Sequence, residues 1–141
     1  MNIRTAPPEH FPWIAERAGL VVGPAFTAVE AMDDKGRIHG MIGFDGFLPN
    51  SLSMSIALDN PAVFTKLLVP AMWWVFEGAK KNLATCAVLS TNKRSLRLVQ
   101  HVGFREVFRG RNWWQQDVDL VFFEMRRTEC RWLPKAEKEA A

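Results

Sequence analysis

The chain contains no tyrosine and only two cysteines, Cys86 and Cys130. Two thiols cannot staple a fold or complete a four-cysteine zinc site, so both of those classes are excluded. They fit a reducing compartment such as the cytoplasm, with one cysteine buried and the other idle at the surface. Long apolar runs are missing too. The longest uncharged one, residues 67–76, is interrupted by Pro70 and is about half the length of a bilayer span. The first twenty residues carry Arg4, Glu9, Glu16 and Arg17, which does not suit a secretory signal. The missing tyrosine removes a phenol, one of the few side chains able to serve as a general acid. Glycine is absent between Gly46 and Gly78.

What remains is one ordinary domain. The 141 residues are 48% apolar and 23% charged, a globular balance far from that of a disordered chain. A net charge of +3 permits an anionic partner without demanding one.

Residues 1–6 read as an opening strand with Ile3 inward. Pro7 and Pro8 open a helix over residues 9–18, ended by Gly19. After an extended connector at residues 20–25, strands at 26–32 and 37–44 flank Asp33-Asp34-Lys35-Gly36, a hairpin signal. Gly40, Gly43 and Gly46 mark bulges or close backbone approach. Leu52, Met54, Ile56 and Leu58 alternate with Ser53, Ser55 and Ala57, a strand of period two. Asp59-Asn60-Pro61 supplies a cap and a first-turn proline for a long helix ending near Lys80. Pro70 kinks that helix or delays its regular part, and its Trp73 and Trp74 read as core. Residues 83–89 form a strand apolar enough for burial on both faces. Residues 93–101 form a helix stopped by Gly103, and strands at 104–108 and 118–125 follow. Trp113 and Trp114 fall in the connection between those last strands. The composition places a domain at residues 1–127 and a charged tail at 128–141. The fold class is α/β or α+β with a mixed sheet.

From Asn92 the sequence runs Asn-Lys-Arg-Ser-Leu-Arg-Leu-Val-Gln-His-Val-Gly-Phe. An Asn at a strand end, a small residue three later, and Gly-Phe eleven and twelve later resemble the fourth-helix motif of the GNAT N-acetyltransferases. The hairpin at residues 29–40 is similar to that family's second and third strands, and Ile3-Arg4 before a helix to its opening. The order of elements agrees over residues 1–127. The resemblance implies a sheet of six to seven strands, splayed into a V between residues 52–58 and 83–89. It implies that acetyl-CoA lies in the V, its pantetheine arm against the backbone of Ala57 and Leu58. The pyrophosphate would sit at the long helix's N-terminus, where amides such as that of Ala62 attract anions. Lys66 is either a further phosphate contact or a solvated lysine. Asn92 and Ser95 would face the cleft, Asn92 serving either as an amide contact or as the helix N-cap. No metal is implied.

Two departures stand out. The family's phosphate loop carries glycines because phosphates approach the backbone closely; here the stretch reads Pro61-Ala62-Val63-Phe64-Thr65-Lys66. The tyrosine that often protonates the leaving thiolate lies seven residues after the motif Asn, and that place holds Val99. His101 is rotated about 200° from Val99 around the helix and is read as facing away from the cleft. Glu30, His39, Asp45 and Glu106 are the candidate bases, each with a salt-bridged or solvated reading beside the catalytic one.

Three functions compete. The first, and the one favoured, is acyl transfer from acetyl-CoA to a small-molecule or protein amine. The second is a catalytically inactive GNAT-fold interaction protein, similar to the small internal virion proteins of short-tailed phages, which share both departures. It would be located in a virion and would meet a protein partner or a second copy through Trp113, Trp114 and the tail. The third is nucleic-acid binding through Arg105, Arg109, Arg111, Arg126 and Arg127, disfavoured because no recognition helix is evident.

Overall fold

The computed structural model describes residues 1–134; the rest of the expected tail lies outside the described residues. Seven strands form one mixed sheet: β1 (Asn2–Thr5), β2 (Thr27–Met32), β3 (Ile38–Asp45), β4 (Ser51–Leu58), β5 (Leu83–Leu89), β6 (Arg105–Gln115) and β7 (Val118–Arg126). Their order is β1-β2-β3-β4-β5-β7-β6. All neighbours are antiparallel except β4 and β5, which run parallel. Helices α1 (Phe11–Ala18), α2 (Phe64–Trp73) and α3 (Lys93–Val102) flank the sheet. The expected class and V-splayed architecture are both present. No helix of the described residues is long and apolar enough to cross a membrane.

Local chemistry explains most of these elements. In the β2–β3 hairpin, Asp33 Oδ1 accepts from the amides of Lys35 and Arg37 at 2.9 and 3.0 Å, and Gly36 takes φ +81°. Gly19 ends α1 at φ +66°, a conformation in which a Cβ is strained. A 3-10 turn at Pro8–His10 precedes α1, which therefore starts later than expected. Asn60 caps the turn into α2, its side chain accepting from the Ala62 amide at 3.1 Å. Helix α2 runs through Pro70 and then widens into a π-helical turn at Trp74–Gly78.

The sheet buries two cores. On one face α2 and α3 pack Leu67, Leu68, Met72, Val99 and Val102 against Ile42, Phe44, Leu52, Met54, Val121 and Phe123. On the other face α1 packs Ile14 against Ala28, Met41 and Ala57. Each large side chain so buried contributes about 1.5–3 kcal/mol. Gly43 lets Phe26 lie flat on this face, since a Cβ there would stand 2.4 Å from the Phe26 ring.

Four expectations need correction. Strand β5 is buried on one face only: Ala84, Cys86 and Val88 are buried while Ala87 is exposed. The reason is that α1 covers β3 and β4 and leaves β5 bare on that side. Both cysteines are buried, because residues 130–133 fold back and put Cys130 and Leu133 into the larger core. Trp73 is half exposed, whereas Trp74 packs on Phe44 with ring centroids 4.6 Å apart. Trp113 and Trp114 belong to strand β6 and not to a connection.

Candidate functional site: the fork between two parallel strands

Strands β4 and β5 share three rungs, Ser51 with Leu83, Leu52 with Ala84 and Ser53 with Thr85. Beyond Thr85 they separate, while β4 stays paired to β3 as far as Leu58 and β5 to β7 as far as Leu89. The β4 backbone from Met54 onward thus has a free edge facing the fork. Ile56 and Leu58 are only partly buried for the same reason, although Leu52 and Met54 on the same face are fully buried.

Above the fork's open end lies a groove of about 290 Å³ lined by Leu58, Pro61 and Phe64 on one wall and by Arg94, Arg97, Leu98 and His101 on the other. The second wall is a stripe of α3 at i, i+3, i+4 and i+7. Among the described residues, Arg94 and Arg97 carry no ion pair, so their charge is open to an anion. The β4–α2 turn beside the groove is held from α1: Arg17 donates to both carboxylate oxygens of Asp59 at 2.9 and 3.1 Å. This pair of hydrogen bonds from Arg17 holds the Asp59 carboxyl below its usual range.

Of the site residues named from the sequence, Leu58 lines the groove and Ala57 stands beside it on β4, its side chain buried toward α1. The Ala62 amide is already bonded to Asn60 Oδ1 and the Val63 amide to the Asn60 carbonyl at 3.2 Å. Lys66 is exposed on α2, outside the groove lining. Asn92 is the N-cap of α3, its Oδ1 accepting from the Ser95 amide at 3.1 Å. His101 does not face away; it lines the groove with Arg94 and Arg97. Those arginines were missed because the cleft face was set by the spacing of residues 92, 95 and 99. Val99 is in fact buried in the core. The stripe of Arg94, Arg97 and His101 at helical spacing was the signal that could have found them.

The α1 side of the fork is floored by a polar row: Asp45, Ser53, Thr85, Glu124 and Arg105 are successive partners across β3, β4, β5, β7 and β6. The candidate bases separate clearly. Glu30 is fully buried and held by Arg4 and His10 at 2.8 and 2.7 Å. His39 Nε2 lies 2.8 Å from Asp33 Oδ2 in the hairpin, and Glu106 pairs with Arg109 at 3.3 Å. Among the described residues, the Asp45 side chain has no hydrogen-bond or ion-pair partner. Burial pushes its carboxyl above the usual range, which favours a proton acceptor working nearer neutrality.

The arginines of the nucleic-acid reading are largely spent on carboxylates. Arg105 pairs with Glu124 and Glu129, Arg109 with Glu106 and Asp119, Arg126 with Glu124, and Arg127 with Glu77. They leave little open charge for phosphates. Among the described residues no three His, Cys, Asp or Glu side chains are grouped to hold a metal ion.

No family profile and no curated protein matches the chain by sequence. Solved structures match its fold. The spermidine/spermine N-acetyltransferase SpeG from Vibrio cholerae, in complex with manganese ions, superposes with a TM-score of 0.71 over 89% of this chain and 91% of that one, at 12% identity. A dodecameric structure of the V. cholerae spermidine N-acetyltransferase gives 0.69, 11% identity, and 89% and 92% coverage. A structure assigned as a phosphinothricin N-acetyltransferase gives 0.70, 18% identity, and 89% and 97% coverage. Superposition over most of its length on these structures gives the chain the GNAT fold.

Proposed function

We propose that the chain transfers an acyl group from acetyl-CoA to an amine in the cytoplasm. The observation that carries this reading is the three-rung β4–β5 pairing that opens toward the groove under Arg94 and Arg97. Acetyl-CoA supplies a thioester carbonyl open to attack and an anionic nucleotide end. The free edge of β4 at Ala57 and Leu58 would hold the pantetheine amides as an added strand. The phosphates would draw on Arg94 and Arg97, since the Ala62 and Val63 amides are already bonded. Lys66 adds a charge further along α2. Asn92 spends its Oδ1 on the cap, leaving its Nδ2 donor for the pantetheine, beside Ser95.

The amine would enter from the α1 side over Ser53, Thr85 and the exposed Ala87. A bond forms between the amine nitrogen and the carbonyl carbon while the carbon–sulfur bond breaks. Asp45 accepts the proton lost by nitrogen, through water, and sulfur takes one from solvent because Val99 offers none. A free-thiol assay with acetyl-CoA and a panel of primary amines tests this. The wild type should release CoA thiol only when amine is present. Asp45→Asn should lower turnover at least about a hundredfold with donor affinity unchanged. No amine-dependent thiol release from any amine would overturn the reading. The structural neighbours lend no support to the virion alternative.

A further inference from the structure

Strand β6 carries a bulge that presents an exposed aromatic platform. Between the Gly110–Leu120 and Gln115–Val118 rungs, residues 111–114 of β6 stand opposite Asp119 alone. The excess chain is locked in place. Asp119 Oδ1 accepts from the Asn112 amide at 3.1 Å and Oδ2 from Arg109 at 3.2 Å, while Asn112 Oδ1 accepts from the Asp117 amide at 2.9 Å. Asn112 and Asp117 hold φ near +60°, a conformation that costs energy outside glycine.

The bulge folds Trp113 back over Gly110, where a Cβ would stand 2.3 Å from its ring. Trp113 then meets Phe108 at 5.2 Å and Phe122 at 5.8 Å between centroids, and Phe108 meets Phe122 at 5.8 Å. Yet Trp113 stays 61% exposed and Phe108 50%. The position of this trio is informative. Phe122 is the cross-strand partner of Ala87, which lies on the stretch of β5 beyond the last β4–β5 rung. The platform is therefore a wall of the fork on the side where α1 leaves β5 bare.

Charge on that side selects among amines. Glu124 is engaged by Arg105 at 3.0 Å and Arg126 at 3.7 Å, and Asp45 across the fork has no partner among the described residues. Among the described residues flanking the fork on this side, one open carboxylate and three rings suit one ammonium group on a flat apolar body. A polyamine needs several open carboxylates.

Resting on the acyl-transfer reading, we infer that the acceptor is a primary amine with an aromatic body, seated on Phe108, Trp113 and Phe122 with its nitrogen toward the fork. The test is titration of the full chain with 2-phenylethylamine and with spermidine, followed by tryptophan fluorescence and calorimetry, alongside a separate CoA titration. 2-Phenylethylamine should bind more tightly than spermidine. Trp113→Ala should weaken it about tenfold without changing CoA affinity, and Trp113→Phe should retain most of it. Gly110→Ala, which displaces Trp113 while removing no ring, should also weaken it. Tighter binding of spermidine, or unchanged affinity in folded Trp113→Ala, would overturn the inference. So would sedimentation showing a dimer that Trp113→Ala dissociates, since the platform would then be covered by a second copy. Loss of CoA binding with Trp113-dependent amine binding intact would instead remove the acyl-transfer reading and keep the site.

Discussion

Asp33, in the turn between β2 and β3, and Asp45, at the end of β3, respond to opposite forces. Asp33 is lowered to about 2, chiefly by its hydrogen bond to His39 and then by the Arg37 amide. A carboxyl lowered by folding stabilises the hairpin above its ordinary value and loses that contribution as pH falls toward 2. Its carbon resonance should accordingly titrate near pH 2 by NMR, and a midpoint at the ordinary Asp value would show that the His39 contact does not persist in solution. Asp45 is raised by burial, with no compensating partner among the described residues. Its charge therefore weighs against folding once pH exceeds its ordinary range. Asp45→Asn should leave the melting temperature at pH 7 unchanged or slightly higher, although turnover collapses. Cys86 is pushed up to about 12 by burial. It and the buried Cys130 should resist a thiol reagent until the chain unfolds; fast labelling of native protein would contradict the packing of residues 130–133.

Elements whose shape depends on their own few residues were legible in the sequence. The β2–β3 hairpin follows from Asp33 and Gly36, and α3 from its Asn92 cap and Gly103 stop. Asn92→Asp should keep the cap, while Asn92→Ala should cost about 1 kcal/mol in chemical denaturation. An unchanged midpoint for the alanine variant would deny the capping bond. Elements whose shape depends on a distant side chain were not legible. The β6 bulge rests on Asp119 in the next strand, so the two tryptophans read as loop. The cleft-facing stripe of α3 depends on how the helix is rolled against the sheet, which a spacing rule for residues 92, 95 and 99 cannot supply. Gly43 lies between these cases. Its close approach was readable, but the neighbour was not, because Phe26 comes from the connector that precedes β2. Gly43→Ala should destabilise by about 1–3 kcal/mol through overpacking, and a neutral result would show that Phe26 yields.

At the scale of the whole molecule, the sheet is closed at one end of β4 and β5 and open at the other, with different chemistry on its two sides. On the α3 side the open end carries Arg94 and Arg97, which have no ion pair among the described residues; on the α1 side it carries Asp45 and an aromatic wall. The resemblance located the fork, but the phosphate charge proves to be displaced. The turn into α2 has satisfied its own amides through Asn60, and the cations stand on the opposite wall. An anion held by side chains alone, without a glycine-lined cradle, is held less tightly. Calorimetric titration of acetyl-CoA into the wild type and the Arg94→Ala/Arg97→Ala double variant tests this most directly. The expected result is one site of micromolar or weaker affinity that the double variant weakens at least about tenfold, with an unchanged melting temperature. Sub-micromolar affinity unaffected by the two substitutions, or no binding to the wild type, would contradict the account.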